Sequence, residues 1–489
     1  MAKLNKKEKW LIASIVLLLI LITLLTKFQG GADIYDYQDV AKFFAGKYNA
    51  KIRTSHSYLY GFIHTPFVYL FENFFAFKIT NLIFLFLIIY SVYIISKRDK
   101  RALWLILLSP ILWYMAPWTS PIQLASLLFL WGWYFIKKYD SEKNSKKSIK
   151  YLLYSGLLLG LSWAFWDGVL FFIPLLIISF FYDKRLSHTI YFIIVILLGS
   201  LPRIILDQIL FGFAFFTPVR HIMASLALTF LGGFYEQGSL FGVISLIFVI
   251  IFFPIFTYLI FKKKIFIQNK KTSIFILLSI LLLIINSQIR FTLLIVPIII
   301  ITLSKSLTKK QFTIQIIFSL ILIVLVLNPY ILQIKWDIGE NGKGVEFEYF
   351  IRNIQEIKLD DRLGREVIKS DIQEITREYP GETFVVGNTP DYYRVLANIY
   401  FGEDVKEFVS IEDYNLNIMG ENLIAKKEFC TNTLINTRRD FCFSLTNLKS
   451  FGDKTDYDSI KYGIGEEDLD IAGFTLLKEY KQLNQFVLK

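Results

Sequence analysis

Long apolar runs alternate with short basic loops along the first two thirds of this chain, and little else can fold from that pattern than a bundle in a bilayer. Runs at 10–26, 74–95, 102–136, 151–182, 189–206, 240–261, 273–285, 291–303 and 312–327 are separated by basic loops at 97–101, 137–150, 183–188, 262–271 and 305–310. Apolar segments near 20 residues demand a membrane, and 54% hydrophobic residues over 489 is more than one soluble core takes up. Lys and Arg in short loops stay on the cytoplasmic side, so the stretch between two such loops crosses an even number of times. As one helix, residues 151–182 would be about 48 Å long, against a hydrocarbon core of about 30 Å. They are therefore expected to form a hairpin turning near Trp166-Asp167-Gly168. Residues 102–136 turn likewise near Pro117-Trp118-Thr119-Ser120-Pro121, where two prolines break the helix. The start, MAKLNKKEKW, is basic and cytoplasmic, and its apolar run exceeds a signal h-region, so the first helix is expected to stay uncleaved. The count comes to about eleven helices. The chain after Asn328-Pro329 then lies outside.

Charge divides the chain at the same place. Residues 331–489 hold 20 Lys and Arg against 29 Asp and Glu, a net of −9, which leaves 33 against 12, a net of +21, before them. The high pI thus belongs to membrane loops, and nucleic-acid binding does not explain it. The expected domains are a transmembrane bundle over 1–330, with a first outer loop at about 28–66, and a small extracytoplasmic α/β domain over 331–489. In the latter, residues 383–386, 474–477 and 486–488 read as strands, and Pro390 opens a helix. Cys430 and Cys442 are the chain's two cysteines, and both fall in that exported part, where a disulfide is expected and two free thiols are the alternative. Four scattered histidines give no metal-ligand spacing, and no phosphate-cradling Gly-rich loop occurs.

The first outer loop is rich in polar chemistry. Asp33 and Asp36 follow the first apolar run within a few residues, with Tyr35 and Tyr37 beside them. Asp36 or Asp39 suits the cap of a short helix running to Ala45 and closed by Gly46, whose Val40, Phe43 and Phe44 would lie on the membrane. A carboxylate at the mouth of a bundle is placed for general-base chemistry; solvated caps are the plainer alternative. The same topology puts Arg53, His56, His64, Asp167, Arg203, Asp207, Arg220, His221, Gln288 and Arg290 at outer helix ends. Charges there are costly, and their sharing one side suggests a polar cavity in which arginines grip a phosphate. Snorkelling arginines, or Arg203 paired with Asp207, would account for them more simply.

In order and topology these segments resemble the GT-C glycosyltransferases, membrane enzymes that use polyprenyl-phosphate-linked sugars. Asp33-Ile34-Tyr35-Asp36-Tyr37 is similar to the family's acid-x-x-x-Tyr after its first helix, and His64-Thr65-Pro66 leads into the second. Ser109-Pro110 resembles an Asn-Pro start of the third helix, and residues 156–174 a Gly-rich hairpin ending in proline. Leu201-Pro202-Arg203, Asp207, Phe211-Gly212 and Pro218 look like a run of the lipid-linked mannosyltransferases, as do Gln288-Ile289-Arg290-Phe291 and Pro297. The first loop lacks the His-Pro-Asp-Glu pattern of some of them, Trp166-Asp167-Gly168 replaces a basic residue, and Gln123 stands where some carry an acid.

The resemblance implies inverting transfer of a sugar from a polyprenyl-phosphate donor to a glycan, lipid or protein acceptor outside the cytoplasm. Asp33 and Asp36 would be the catalytic pair. Tyr37, Arg53, His56, His64, Arg203, Asp207, Gln288 and Arg290 would bind substrate. No cofactor is required by these motifs, and a divalent metal stays open. Membrane lipids are the other expected partners, and a prokaryotic plasma membrane the expected location. The alternative is a transporter or lipid-linked-glycan flippase, which calls for ionisable groups at the midplane and interrupted helices in related halves. No internal repeat is visible.

Overall fold

The computed structural model describes residues 5–25, 37, 40–41, 44–45, 56–68, 73–142, 144–211, 213–219, 221, 254–285, 289–331, 365–386, 407–410, 459–465, 474–480 and 484–488. They divide into two compact units, each assembled from separate stretches. The first takes Met1–Gln29, Phe77–Ile209 and Gln237–Glu356; the second takes Gly30–Ala76, Leu210–Glu236 and Ile357–Lys489. The expected disulfide between Cys430 and Cys442, and the helix opened by Pro390, lie outside the described residues.

The longer helices are α1 (Lys6–Leu25), α2 (Tyr58–Val68), α3 (Asn73–Ile95), α4 (Ile122–Ser141), α5 (Ser145–Phe165) and α6 (Phe172–Phe181). They continue as α7 (Leu186–Gly199), α8 (Leu201–Phe211), α9 (Lys270–Ile285), α10 (Thr292–Leu303), α11 (Lys309–Ile331) and α12 (Arg365–Glu378). The break at Trp166 falls where helix length required one. There α5 ends, a 3-10 turn covers Asp167–Phe171, and α6 follows. Residues 102–136 break at Pro117–Pro121 as expected, and again before Pro110, which opens the short helix Pro110–Met115.

One expectation fails at 189–206. In place of a single span there are two helices, α7 and α8, bent by 52°. Pro202 has no N–H to give the carbonyl one turn back, so the ladder stops and the Ser200 N–H closes α7 on Ile196 O at 3.0 Å. Among the described residues, Ala76–Ile95 is the one helix that is long and apolar enough to cross a membrane alone, and α7 with α8 passes as a bent pair. The twelve residues of α10 rise only about 18 Å. An apolar run counts residues without seeing where prolines divide them, so several of the described helices are shorter than the runs they come from.

Outward positions of α7 and α8 are Ile190, Ile193, Ile194, Leu197, Leu198, Ile205 and Ile209, all exposed. A continuous apolar exterior of this kind is stable against lipid rather than water. Inside the first unit, small residues let helices touch. On α5, a Cβ at Gly160 would lie 2.0 Å from Ile196 O of α7, and one at Gly199 would lie 2.3 Å from Leu157 O. Ser155 and Ser162 of α5 donate to Gly132 O and Ala125 O of α4, each at 2.7 Å. The basic loops meet one another. Lys271 binds Asp140 and Asp183 at 2.7 Å each, Lys100 binds Glu8 at 2.8 Å, and Arg101 donates to Leu307 O at 2.5 Å.

In the second unit, Tyr37, Val40, Ala41 and Phe44 of the first loop are helical. Val40 was expected on the membrane surface; it is 2% exposed. A Cβ on Gly61 of α2 would come within 2.6 Å of it, so α2, and not lipid, covers this face. The carboxy-terminal segments form a five-stranded mixed sheet in the order β2-β1-β3-β5-β4. The strands are β1 (Thr383–Val386), β2 (Glu407–Ser410), β3 (Tyr462–Gly465), β4 (Phe474–Glu479) and β5 (Asn484–Leu488). β1 runs parallel to β2 and β3, while β5 is antiparallel to β3 and β4. Lys478 of β4 ties to Glu374 and Glu378 of α12, and Tyr379 packs on Tyr462 at 4.5 Å.

Candidate active site

Buried polar side chains gather in two groups among the described residues, one in each unit. In the first unit, the bend at Pro202 turns the opening of α8 so that Arg203 points inward. Arg203 and Asp207 share one buried face of α8, four residues apart, while Ile205 and Ile209 face out. The Arg203 guanidinium grips the Asp167 carboxylate as a fork, Nη1 to Oδ1 and Nη2 to Oδ2 at 2.9 Å, and Nη1 also donates to Trp163 O at 3.3 Å. Both partners are almost wholly buried, Arg203 at 1% and Asp167 at 2% exposed. Sequence proximity had suggested Asp207 for this pairing; the partner that takes the fork stands 36 residues earlier.

Beside the pair, the Trp166 ring lies 5.0 Å from that of Phe291, and Phe172 meets Phe291 edge-on at 6.4 Å. Arg290, half-buried on the 3-10 turn Ile289–Phe291, lays its guanidinium 6.0 Å from the Phe291 ring centroid. Two further buried groups stand outside the expected site residues. Lys78 of α3, fully buried, donates to Thr23 O in the last turn of α1 at 3.1 Å. Its signal was a single lysine inside an apolar run. Asn81 and Gln123 converge on Trp118 O at 3.0 and 3.1 Å, and Gln123 also reaches Met115 O at 2.9 Å. Uncharged amides gave no comparable signal.

The second group is a ladder of rings. Tyr37 stands 5.4 Å from Tyr60 edge-on and 5.6 Å from His56; Tyr60 stands 4.6 Å from His64, and His56 stands 5.7 Å from His221. The His64 Nδ1–H donates to Tyr60 O one turn back at 2.7 Å, which fixes the tautomer. Burial pushes the His64 imidazole down to about 4, against a smaller opposing effect of that hydrogen bond, so it is neutral at pH 7. Of the expected site residues, Tyr37, His56 and His64 thus come together, and Arg203 and Asp207 share one helix face. Asp33, Asp36, Arg53 and Gln288 lie outside the described residues. Among the described residues, no three His, Cys, Asp or Glu side chains are grouped to hold a metal ion.

The arrangement has relatives of known structure. Crystal structures of ArnT from Cupriavidus metallidurans, one bound to undecaprenyl phosphate and one apo, match at TM-score 0.61, with 10% and 11% sequence identity. Each match covers 99% of this chain and 98% of that one. This chain has the GT-C fold. The Archaeoglobus fulgidus oligosaccharyltransferase, solved with zinc and sulfate, is more distant: TM-score 0.44, 12% identity, 93% of this chain and 68% of that one. No protein-family model and no curated protein sequence matches.

Proposed function

We propose that this protein is an inverting glycosyltransferase that moves a sugar from a polyprenyl-phosphate donor to an acceptor on the extracytoplasmic face of a membrane. The observation that supports it most is the GT-C fold over 99% of the chain, with an acidic first loop following α1 as the sequence resemblance requires. The ArnT structure bound to undecaprenyl phosphate makes a lipid-phosphate donor the natural class for this chain. In the reaction, the Asp33 carboxylate takes the proton of the acceptor hydroxyl as that oxygen bonds to the anomeric carbon. The bond from that carbon to the phosphate oxygen breaks, and its electron pair leaves with polyprenyl phosphate. One displacement inverts the anomeric centre, and no second carboxylate nucleophile is needed. Asp36 orients the base, and Arg290 holds the phosphate and offsets its growing charge. Arg203, whose fork is already taken by Asp167, is better suited to shaping the site than to holding the donor.

Purified protein incubated with radiolabelled polyprenyl-phosphate sugars should release polyprenyl phosphate and label an acceptor. Asp33→Asn should slow transfer by roughly a hundredfold to ten-thousandfold while the protein inserts and unfolds normally. A fully active Asp33→Asn protein overturns the assignment; if Asp36→Asn alone is dead, the two acids exchange roles. Movement of intact donor across vesicles, with no new glycosidic bond, would favour the transporter reading.

A further inference from the structure

We propose that Asp167 and Arg203 are positioning residues for Arg290, acting through Trp166 and Phe291, so that the bent α7–α8 segment sets the grip on the donor phosphate. This rests on the reading of Arg290 as the phosphate ligand. A buried ion pair is a poor way to stabilise a bundle, since apolar residues of equal volume often do as well. Inside a membrane protein it marks a place where geometry is being specified. Each link of the chain is a direct contact. The Arg203 fork fixes both oxygens of Asp167, and with them the 3-10 turn on which Trp166 sits. The Trp166 ring lies over Gly168 so closely that a Cβ there would come 2.4 Å from its Cζ2. Its other contact is Phe291, whose ring backs the Arg290 guanidinium. At the far end, α7 is pinned to α5 by the backbone crossing of Gly160 and Gly199, and Arg203 links α8 back to the turn that follows α5.

A contiguous route is a hypothesis about coupling until two changes along it are shown to be non-additive. Gly168→Ala is the useful probe, because it displaces Trp166 and leaves every charge in place. Donor KM and kcat are measured with a radiolabelled polyprenyl-phosphate sugar, alongside unfolding temperature in detergent. Gly168→Ala should raise donor KM about tenfold, with kcat within about threefold and acceptor KM unchanged. In an Arg290→Ala background it should add nothing. Asp167→Asn should behave like Gly168→Ala. An unchanged donor KM in a normally folded Gly168→Ala protein, or an equal effect with and without Arg290, overturns the inference. Should Gly168→Ala fail to fold, Trp166→Phe, which shortens the same contact, carries the same expectation. If Arg290→Ala itself leaves donor KM unchanged, the phosphate assignment falls, and this inference with it; if only the Gly168 and Asp167 variants are silent, the phosphate assignment stands.

Discussion

The two units bury polar side chains by opposite means. In the first, Arg203 and Asp167 meet through a two-pronged contact, with the Trp163 carbonyl taking a further N–H. In the second, His64 gives up its charge: it is 1% exposed, edge-on to Tyr60, and pushed down to about 4 by desolvation. An ion pair needs both partners. A discharged imidazole needs no partner ion but is exposed to acid. The bundle is thus vulnerable to single substitutions, and the first-loop assembly to pH.

The largest effect expected is from halving the ion pair. Arg203→Ala or Asp167→Ala leaves an uncompensated buried charge and should destabilise the protein by about 3–5 kcal/mol. Replacing both, with Arg203→Met and Asp167→Leu, should restore most of that stability without restoring the wild-type donor KM. Denaturant or thermal unfolding in detergent checks it, and single variants within about 1 kcal/mol of wild type would show that this contact is not a tight pair.

Next comes acid. Below pH 6.5 an unfolded histidine takes up a proton that folded His64 refuses until about pH 4, so the unfolded state binds more protons and stability falls with pH across that window. The loss should approach roughly 3 kcal/mol at the acid end. Tyr60 and Phe67 pack on the ring, and neither titrates in that window. His64→Phe should flatten the slope, and an identical pH–stability curve for that variant would place the sensitivity elsewhere.

What the sequence made legible, and what it hid, follows the range of each interaction. The break at Trp166 was readable because 32 apolar residues between two basic loops cannot be one helix in a bilayer. Strand β1 was readable from a short β-branched and aromatic run ahead of Gly387-Asn388. The bend at Pro202 had its cause in plain view, yet the apolar run continued past it and read as one span. Asp167 as a partner of Arg203 was hidden because it stands 36 residues earlier, while Asp207 lay one turn along the same helix. Val40 read as a lipid contact for the same reason: nothing local to an amphipathic loop tells whether lipid or another helix will cover it.

The smallest effect bears most directly on the acidic loop. Gly61 lies where α2 crosses the first-loop helix, and a Cβ there would stand 2.6 Å from Tyr37 O and equally close to Cβ and Cγ1 of Val40. A side chain could rotate away from a methyl group; the carbonyl of Tyr37 cannot move without turning the backbone of Tyr37 itself, the residue that follows Asp36 in sequence. Gly61→Ala should therefore cost about 1–3 kcal/mol by overpacking. It should also lower kcat with little change in donor KM, because the strain falls one residue from Asp36, which orients the base, and far in sequence from the phosphate ligand Arg290. That split is the opposite of the one expected for Gly168→Ala, so the pair of alanine variants separates loop from bundle with a single methyl group each. Adding Val40→Ala to Gly61→Ala removes one of the three close contacts, that with Cγ1, and should recover part of the stability before it recovers kcat, since the Tyr37 carbonyl remains displaced. A Gly61→Ala protein of wild-type stability and rate would mean that the crossing is looser than these distances.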